Sequence, residues 1–535
     1  MSEKAQTNDN SSSLDRMADR VELVPSESET LAAIDIGSNS FHLIVARLTN
    51  GTLQPLVQEK LLVRLAEGLN DKNELSSDAM ERGLKALNSF GETVQNLKPS
   101  NIRIVATFTL RRAKNRNQFV RAAKTIFPFP VEVISGDEEA RLIYQGVAHT
   151  SHTEGKRLVL DIGGGSTEFA IGKHFNPLQL SSQPMGCINY TRRFFADGKI
   201  SLDRFQAAET LAQQRLEVID RRFCYTGWDV AVATSGTAKA IAQYLDSKGW
   251  LESRQFNLEA LRKMKAELIE EGHSDRISNM DDSRKPIIAA GLSIMIAAFK
   301  QLNVEQMSYA DAALREGVLY ELTERMQHQD IRERTVSSLV LRYDIDQEQS
   351  RRVLSTAELL FRAYAPTLAP NSELTSESES AATIVSQSRT SLERTLNWAS
   401  TLHEIGLHIN RRGIQRHSKY ILENIEMPGF SDEEQRLLGV LVGSYRKKFQ
   451  PDQLPEFSHY DPERVFALVV ILRLATLLNQ RRLDDYLPNF EFSISSDKAK
   501  ITFPLDWLTK RPLVLADLRS ESNILNASGF CLEIS

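Results

Sequence analysis

The chain has 535 residues, 41% hydrophobic and 25% charged, with 26 Gly and 17 Pro. That balance excludes a collagenous, coiled-coil or wholly disordered chain, and the length is too great for one hydrophobic core. Lys and Arg total 65 against 70 Asp and Glu, a formal charge of −5, which excludes a general nucleic-acid coat and sends any polyanion to a local basic patch.

Residues 1–29 are polar and acidic, without the apolar centre of a secretion signal, and read as a disordered extension. Leu31–Ile36 is an apolar run ending in Asp35-Ile36-Gly37-Ser38-Asn39-Ser40, and Phe41–Ala46 is a second run. The pattern predicts two strands joined by a small-residue turn. Helical periodicity follows over Asp78–Leu97, then β-branched runs at Ile102–Ala106 and Val131–Ile134. After Ser135-Gly136-Asp137 a helical stretch opens with Glu138-Glu139.

The strand–turn–strand pattern then recurs. Leu158–Ile162 leads into Asp161-Ile162-Gly163-Gly164-Gly165-Ser166-Thr167-Glu168, and Phe169–Ile171 resumes the apolar run. Both turns read Asp-Ile-Gly-x-x-Ser, which marks an internal duplication. A further strand, Val230–Ala233, ends in Ser235-Gly236-Thr237 and enters a helix. Strands mixed with helices predict two related α/β domains facing one another, over 30–142 and 143–325.

Ile287–Phe299 is the longest apolar stretch, too short for a spanning helix, and reads as a buried core helix. Thr335–Ala365, Leu392–Ile409, Asp432–Tyr445 and Pro462–Leu478 carry helical patterns, with a Ser/Glu/Thr/Pro-rich loop at Pro366–Ser380. A helical domain over 326–485 is expected, then a small α+β tail over 486–535 with strands at Phe490–Ile494 and Ala499–Phe503. Cys187, Cys224 and Cys531 have no ligand spacing, which excludes a zinc site and a disulfide framework and fits a reducing cytoplasm.

A strand ending in Asp-x-Gly leaves backbone N–H groups free and lets a ligand approach, so each turn suits a phosphate chain. Asp35, Gly37, Ser38, Asn39 and Ser40 form one candidate cradle; Gly163, Gly164, Gly165, Ser166 and Thr167 form the other. Ser235, Gly236 and Thr237 add a third. Asp161 suits a hard cation such as Mg²⁺, and Glu168 is near enough along the turn to share it. Pattern does not separate Glu138 from Glu139, since either carboxylate complements the helix dipole. Arg111, after the Ile102–Ala106 strand, is a candidate for bidentate phosphate binding.

Ala33-Ile-Asp-Ile-Gly-Ser-Asn-Ser-Phe-His42, Val133-Ile-Ser-Gly-Asp-Glu-Glu-Ala-Arg-Leu142 and Asp161-Ile-Gly-Gly-Gly-Ser-Thr-Glu168 resemble motifs of the exopolyphosphatase / guanosine pentaphosphate phosphohydrolase family. So do Ala233-Thr-Ser-Gly-Thr237 and Ala313-Leu-Arg-Glu-Gly317. The resemblance implies two actin-like domains of the sugar-kinase superfamily facing a cleft, and a homodimer. It also implies Glu139 as general base, Asp161 and Glu168 at the Mg²⁺ site, and Arg111 on phosphate. The back half resembles the family's long form, with a domain similar to HD phosphohydrolases. Thr401-Leu-His403-Glu404 stands there in place of His-Asp, so His403 and His417 read as structural rather than metal-binding.

The expected activity is release of orthophosphate from the end of inorganic polyphosphate. Removal of the 5′-phosphate of guanosine pentaphosphate is the alternative enzyme reading, and a non-catalytic polyphosphate or alarmone sensor the alternative of another class. Arg411, Arg412, Arg416, Lys447 and Lys448 are candidates for the distal polyphosphate chain. No nucleic-acid partner and no transmembrane segment are expected, and the location is cytoplasmic, with attachment at the inner face of the membrane left open. Every catalytic candidate precedes residue 326, so a front fragment is expected to keep some activity.

Overall fold

The computed structural model describes residues 29–49, 52–127, 129–151, 154–326, 330–368, 379–447, 451, 454–504 and 506–535. The extension expected over 1–29 therefore lies, apart from Glu29, outside the described residues.

The first sheet contains β1 (Glu29–Ile36), β2 (Ser40–Thr49), β3 (Thr52–Leu62), β4 (Ile102–Ala106) and β5 (Val131–Val133), in the order β3-β2-β1-β4-β5. The second contains β6 (Lys156–Ile162), β7 (Thr167–Lys173), β8 (Asn176–Gln183), β9 (Val230–Thr234), β10 (Gln255–Asn257) and β11 (Gln306–Tyr309), in the order β10-β11-β9-β6-β7-β8. β1 pairs antiparallel with β2 and parallel with β4; β6 does the same with β7 and β9. The duplicated turns thus belong to a duplicated topology.

Strand alternation assigns each face. Along β1, Leu31 and Ala33 enter one core while Ala32, Ile34 and Ile36 enter another. Along β6, Val159 joins the first of these, and Leu158, Leu160 and Ile162 face a third. The core shared by the two sheets is filled by the helices Gly136–Thr150 and Leu314–Met326, through Leu142, Val147, Val318 and Leu319. These helices cross backbone to backbone. A Cβ at Gly317 would lie 1.8 Å from the Leu142 carbonyl oxygen, and one at Gly146 would lie 2.2 Å from that of Ala313. Glycine is needed at both because nothing else fits. The apolar stretch at 287–299 is the inside of the buried helix Lys285–Leu302, as its composition predicts.

The back half is helical, with one apolar core through Leu360, Leu396, Leu438, Val469 and Ile471. The stretch 335–365 is two helices, Ile331–Arg342 and Gln347–Tyr364, because Asp344 takes φ +45° and Asp346 caps the second helix through Gln349 N. The helix expected from Leu392 starts at Glu379 and ends at Leu402, so the expected loop is shorter than its composition predicts. Its middle, 369–378, lies outside the described residues.

The tail folds as β12 (Glu491–Ile494), β13 (Lys498–Thr502) and β14 (Cys531–Ile534) with the helix Pro512–Asn526. Ile501, Leu518 and Leu532 share the core of the preceding helices. Arg473, buried in that core, bonds to Glu521 of the tail. The packing gives this segment no core of its own.

Candidate active site

The β1–β2 and β6–β7 turns are built alike. Asp35 pairs with His42 across the first hairpin, and Asp161 pairs with Glu168 across the second. The two turns meet face to face: a Cβ at Gly164 would lie 3.1 Å from Ser38 Cβ. Glycine there lets the loops close together, and its exposed backbone leaves room for an anion. Between the sheets a cleft of about 630 Å³ gathers the whole first turn from Asp35 to Ser40 except buried Ile36, and Asp161 with Gly163–Ser166 from the second. Ser235, Gly236 and Thr237 line it too, at the start of the helix Ser235–Ser247.

Glu139 reaches this cleft from the first turn of the helix Gly136–Thr150. That helix starts where it does because the Ser135 hydroxyl accepts from Glu138 N at 3.1 Å. Burial raises the Glu139 carboxyl above its ordinary range, and the Arg111 guanidinium opposes that rise. Arg111 Nη1 donates to Glu139 Oε2 at 3.0 Å and to the Ile134 carbonyl at 2.9 Å.

The other carboxylates are also held high. Asp161 is pushed up to about 7 by burial and by the charge of Glu139. Asp35 is pushed up to about 8 by burial and by Glu139, with Asp161 adding to the rise and Arg315 opposing it. Glu168 lies well above the usual range through burial and then Glu139 and Asp161. Crowded acids of this kind attract a cation. Asp35 Oδ1 is buried without a hydrogen-bond partner, so a hard oxygen donor stands uncommitted at the site. Among the described residues no three such side chains converge as a ready-made metal cage. A cation held here would take part of its shell from water and substrate phosphates.

Three candidates sit differently from their expected roles. Thr167 is fully buried and its hydroxyl donates to the Met185 carbonyl, so it serves the turn and does not line the cleft. Arg111 lines a smaller adjoining cavity of about 280 Å³ that shares Phe108 and Ser166 with the main cleft, and its charge is directed at Glu139. Glu168 lies beneath the second turn, where Ser182 Oγ donates to its Oε1 at 2.8 Å.

Among the described residues, the basic candidates of the back half do not line the cleft. Arg411, Arg412, Arg416 and Lys447 are exposed and line neither cavity. Lys447 follows the C-terminal end of the 13-residue helix Asp432–Ser444, whose first residue pairs with Arg116 at 3.1 Å. At 1.5 Å per residue the helix separates Lys447 from that contact by about 20 Å. Lys448 lies outside the described residues. His403 is buried with Nδ1 2.7 Å from the Ser400 carbonyl, and Glu404 is engaged by Arg482, which also reaches Asp346 at 2.7 Å. His417 Nε2 lies 3.2 Å from the Arg412 carbonyl.

Four cations that the motifs did not single out line the cleft: Lys60, Lys239, Arg284 and Arg315. Arg315 stood inside the Ala313–Gly317 motif, and Lys239 is one helical turn after Ser235, so both had a signal. Lys60 on β3 and Arg284 had none. His42, the counterpart of Glu168, also lines the cleft; burial and then Arg315, Lys60 and Arg284 push it down to about 3, so it is neutral.

The model of the Ppx/GppA phosphatase family matches residues 44–326, and that of Ppx/GppA phosphatase domain III matches residues 331–522. A solved structure of the Aquifex aeolicus PPX-GPPA enzyme is 26% identical, with a TM-score of 0.47, over 55% of this chain and 99% of that one. An exopolyphosphatase structure from Cytophaga hutchinsonii is 23% identical, with a TM-score of 0.51, over 56% of this chain and 98% of that one. On the extent of the family match, the chain belongs to the Ppx/GppA phosphatase family.

Proposed function

We propose that this chain is an exopolyphosphatase that releases terminal orthophosphate from inorganic polyphosphate by Mg²⁺-assisted hydrolysis. The observation that carries the reading is the buried Glu139 carboxylate in a cleft walled by two facing phosphate-cradle turns. A terminal phosphate there would meet backbone N–H groups and the Ser38 and Ser166 hydroxyls. Glu139 would orient a water in line with the scissile anhydride and take its proton; a carboxylate raised by burial is a better base than an exposed one. Arg111 holds that carboxylate in place and adds positive charge near the reacting phosphate.

Asp35 and Asp161, which both line the cleft, are the residues that would hold Mg²⁺, with Glu168 behind the turn adding negative charge, and the uncommitted Asp35 oxygen supports this assignment. When bound, the ion would neutralise charge on the terminal phosphates. Lys60, Lys239, Arg284 and Arg315 would receive the next phosphates of the chain.

The same parts suit removal of the 5′-phosphate of guanosine pentaphosphate. The test is therefore orthophosphate release from both substrates at matched concentrations with Mg²⁺. Faster release from long polyphosphate is expected. Release from guanosine pentaphosphate alone would assign the other substrate, and release from neither would leave a binding protein.

A further inference from the structure

Glu138 and Glu139 are consecutive in one helical turn, so their side chains diverge by about 100° around the helix axis. Glu139 takes the cleft side. Glu138 turns inward, where it is 3% exposed and gripped from several directions. Arg141 Nε donates to its Oε2 at 2.7 Å and Arg141 Nη2 to its Oε1 at 2.8 Å. The third grip comes from the far half of the chain: Gly429 N donates to Glu138 Oε2 at 3.0 Å.

Gly429 is itself fixed on both sides. Its carbonyl accepts from Arg325 Nη2 at 3.2 Å, and Arg325 also holds Glu321 at 2.8 Å. Glu321 in turn binds Arg103 at 2.8 Å and pairs with Arg141. Arg103, Arg141, Glu138 and Glu321 are each no more than 3% exposed, so this is a dry ion-pair network with strict geometry. Gly429 has φ +88°, and a Cβ there would lie 2.3 Å from Ile331 Cγ2. Only glycine makes this contact without displacement. The Met427–Phe430 loop therefore clips onto the first turn of the helix that carries Glu139.

We propose that Glu138 is a positioning residue, and that the Gly429 loop of the helical region sets the direction of Glu139 by gripping it. The inference rests on the reading of Glu139 as the base. The family model of the front part ends at residue 326 and that of domain III begins at 331, so Gly429 reaches the Glu139 helix from a different family domain. In this chain the helical region completes the catalytic turn. A front fragment ending near 325 would lack the clip, which revises the expectation drawn from motif order alone.

The test uses the full-length protein and Gly429→Ala, with two readouts. On long polyphosphate, kcat falls by about 10- to 100-fold while KM stays within about threefold, because the base is misaimed and the substrate contacts remain. Amide hydrogen exchange over 136–141 accelerates at the same time. If Gly429→Ala does not fold, Glu138→Gln, which keeps the shape and loses the charge, is read in its place and shows the same split to a smaller degree. Unchanged kcat with unchanged exchange in a folded variant overturns the proposal. A rise in KM alone does so too, since it would assign the region to substrate holding. If the wild type hydrolyses nothing, the function reading fails, and the exchange result still decides whether Gly429 holds this turn.

Discussion

Arg111 Nη1 lies 3.0 Å from Glu139 Oε2 and donates from the same nitrogen to the Ile134 carbonyl at 2.9 Å. The arginine is thus anchored to the backbone just ahead of the helix whose first turn bears the candidate base. Its charge also holds the Glu139 carboxyl below the level that burial alone would set.

Removing that charge has a defined sign. Arg111→Met takes away the group that lowers Glu139, so the carboxyl titrates at higher pH and is protonated over a wider acidic range. The acid limb of the kcat profile moves up in pH, and kcat falls at pH 7. A pH series on wild type and variant checks this; a limb that stays in place or moves down rejects the pairing as functionally relevant.

Glu139→Gln keeps the shape and the hydrogen bond from Arg111 but cannot take a proton. Turnover falls by about 10²- to 10⁴-fold with little change in KM. Glu138→Gln, measured in parallel, loses less. Near-normal turnover in the Glu139 variant would end its assignment as base.

Asp161→Asn removes one of the candidate ligands while leaving the turn backbone intact. Half-maximal activation then needs more Mg²⁺, by about tenfold or more, and KM for polyphosphate changes less. Coincident Mg²⁺ titrations for wild type and variant would make Asp161 a turn residue only.

Asp35 gives a stability prediction independent of activity. Its carboxyl stands at about 8 in the folded chain against an ordinary value of 3.8. As pH rises from 3.8 to 8 the unfolded chain loses this proton first, so the folded state becomes progressively less favoured. Asp35→Asn removes that cost. In EDTA the variant melts roughly 1 °C above wild type at pH 8 for each kcal/mol recovered, and the gap closes toward pH 4. Thermal unfolding at both pH values measures it; an equal gap at each pH would contradict the buried-acid account.

The two sets of cations should separate by chain length. Replacing Lys239 and Arg284 with Ala raises KM for short and long polyphosphate alike, by about tenfold. Replacing Arg411, Arg412, Lys447 and Lys448 weakens only long chains, because Arg411, Arg412 and Lys447 are exposed and line neither cavity. Added salt narrows the second difference more than the first, since exposed charges are screened more strongly. A long-chain KM unaffected by the four changes at low salt would remove these residues from substrate binding.

Much of the site was legible in local pattern. The Asp-Ile-Gly-x-x-Ser turns needed only strand alternation and small residues, and they do face one another at Ser38 and Gly164. Ile102–Ala106, Val131–Val133 and Pro462–Leu478 follow their apolar patterns closely. Glu139 was reachable only with the family resemblance, because helix periodicity treats neighbouring carboxylates alike.

What the sequence by itself determined was therefore the local part: which turns leave amides free, which helices have an apolar side, and where the duplication lies. These depend on residues a few positions apart. Tertiary structure alone decided that Lys60 and Arg284 join one cleft, that the hydroxyl of Thr167 is spent on Met185, and that the tail shares the core of the helices before it. It alone decided that Gly429 meets Glu138, 291 positions earlier. The physical reason is common to all of these. A buried charge or a free N–H takes whichever partner the packing brings within 3 Å, and no periodicity in the chain records which partner that will be.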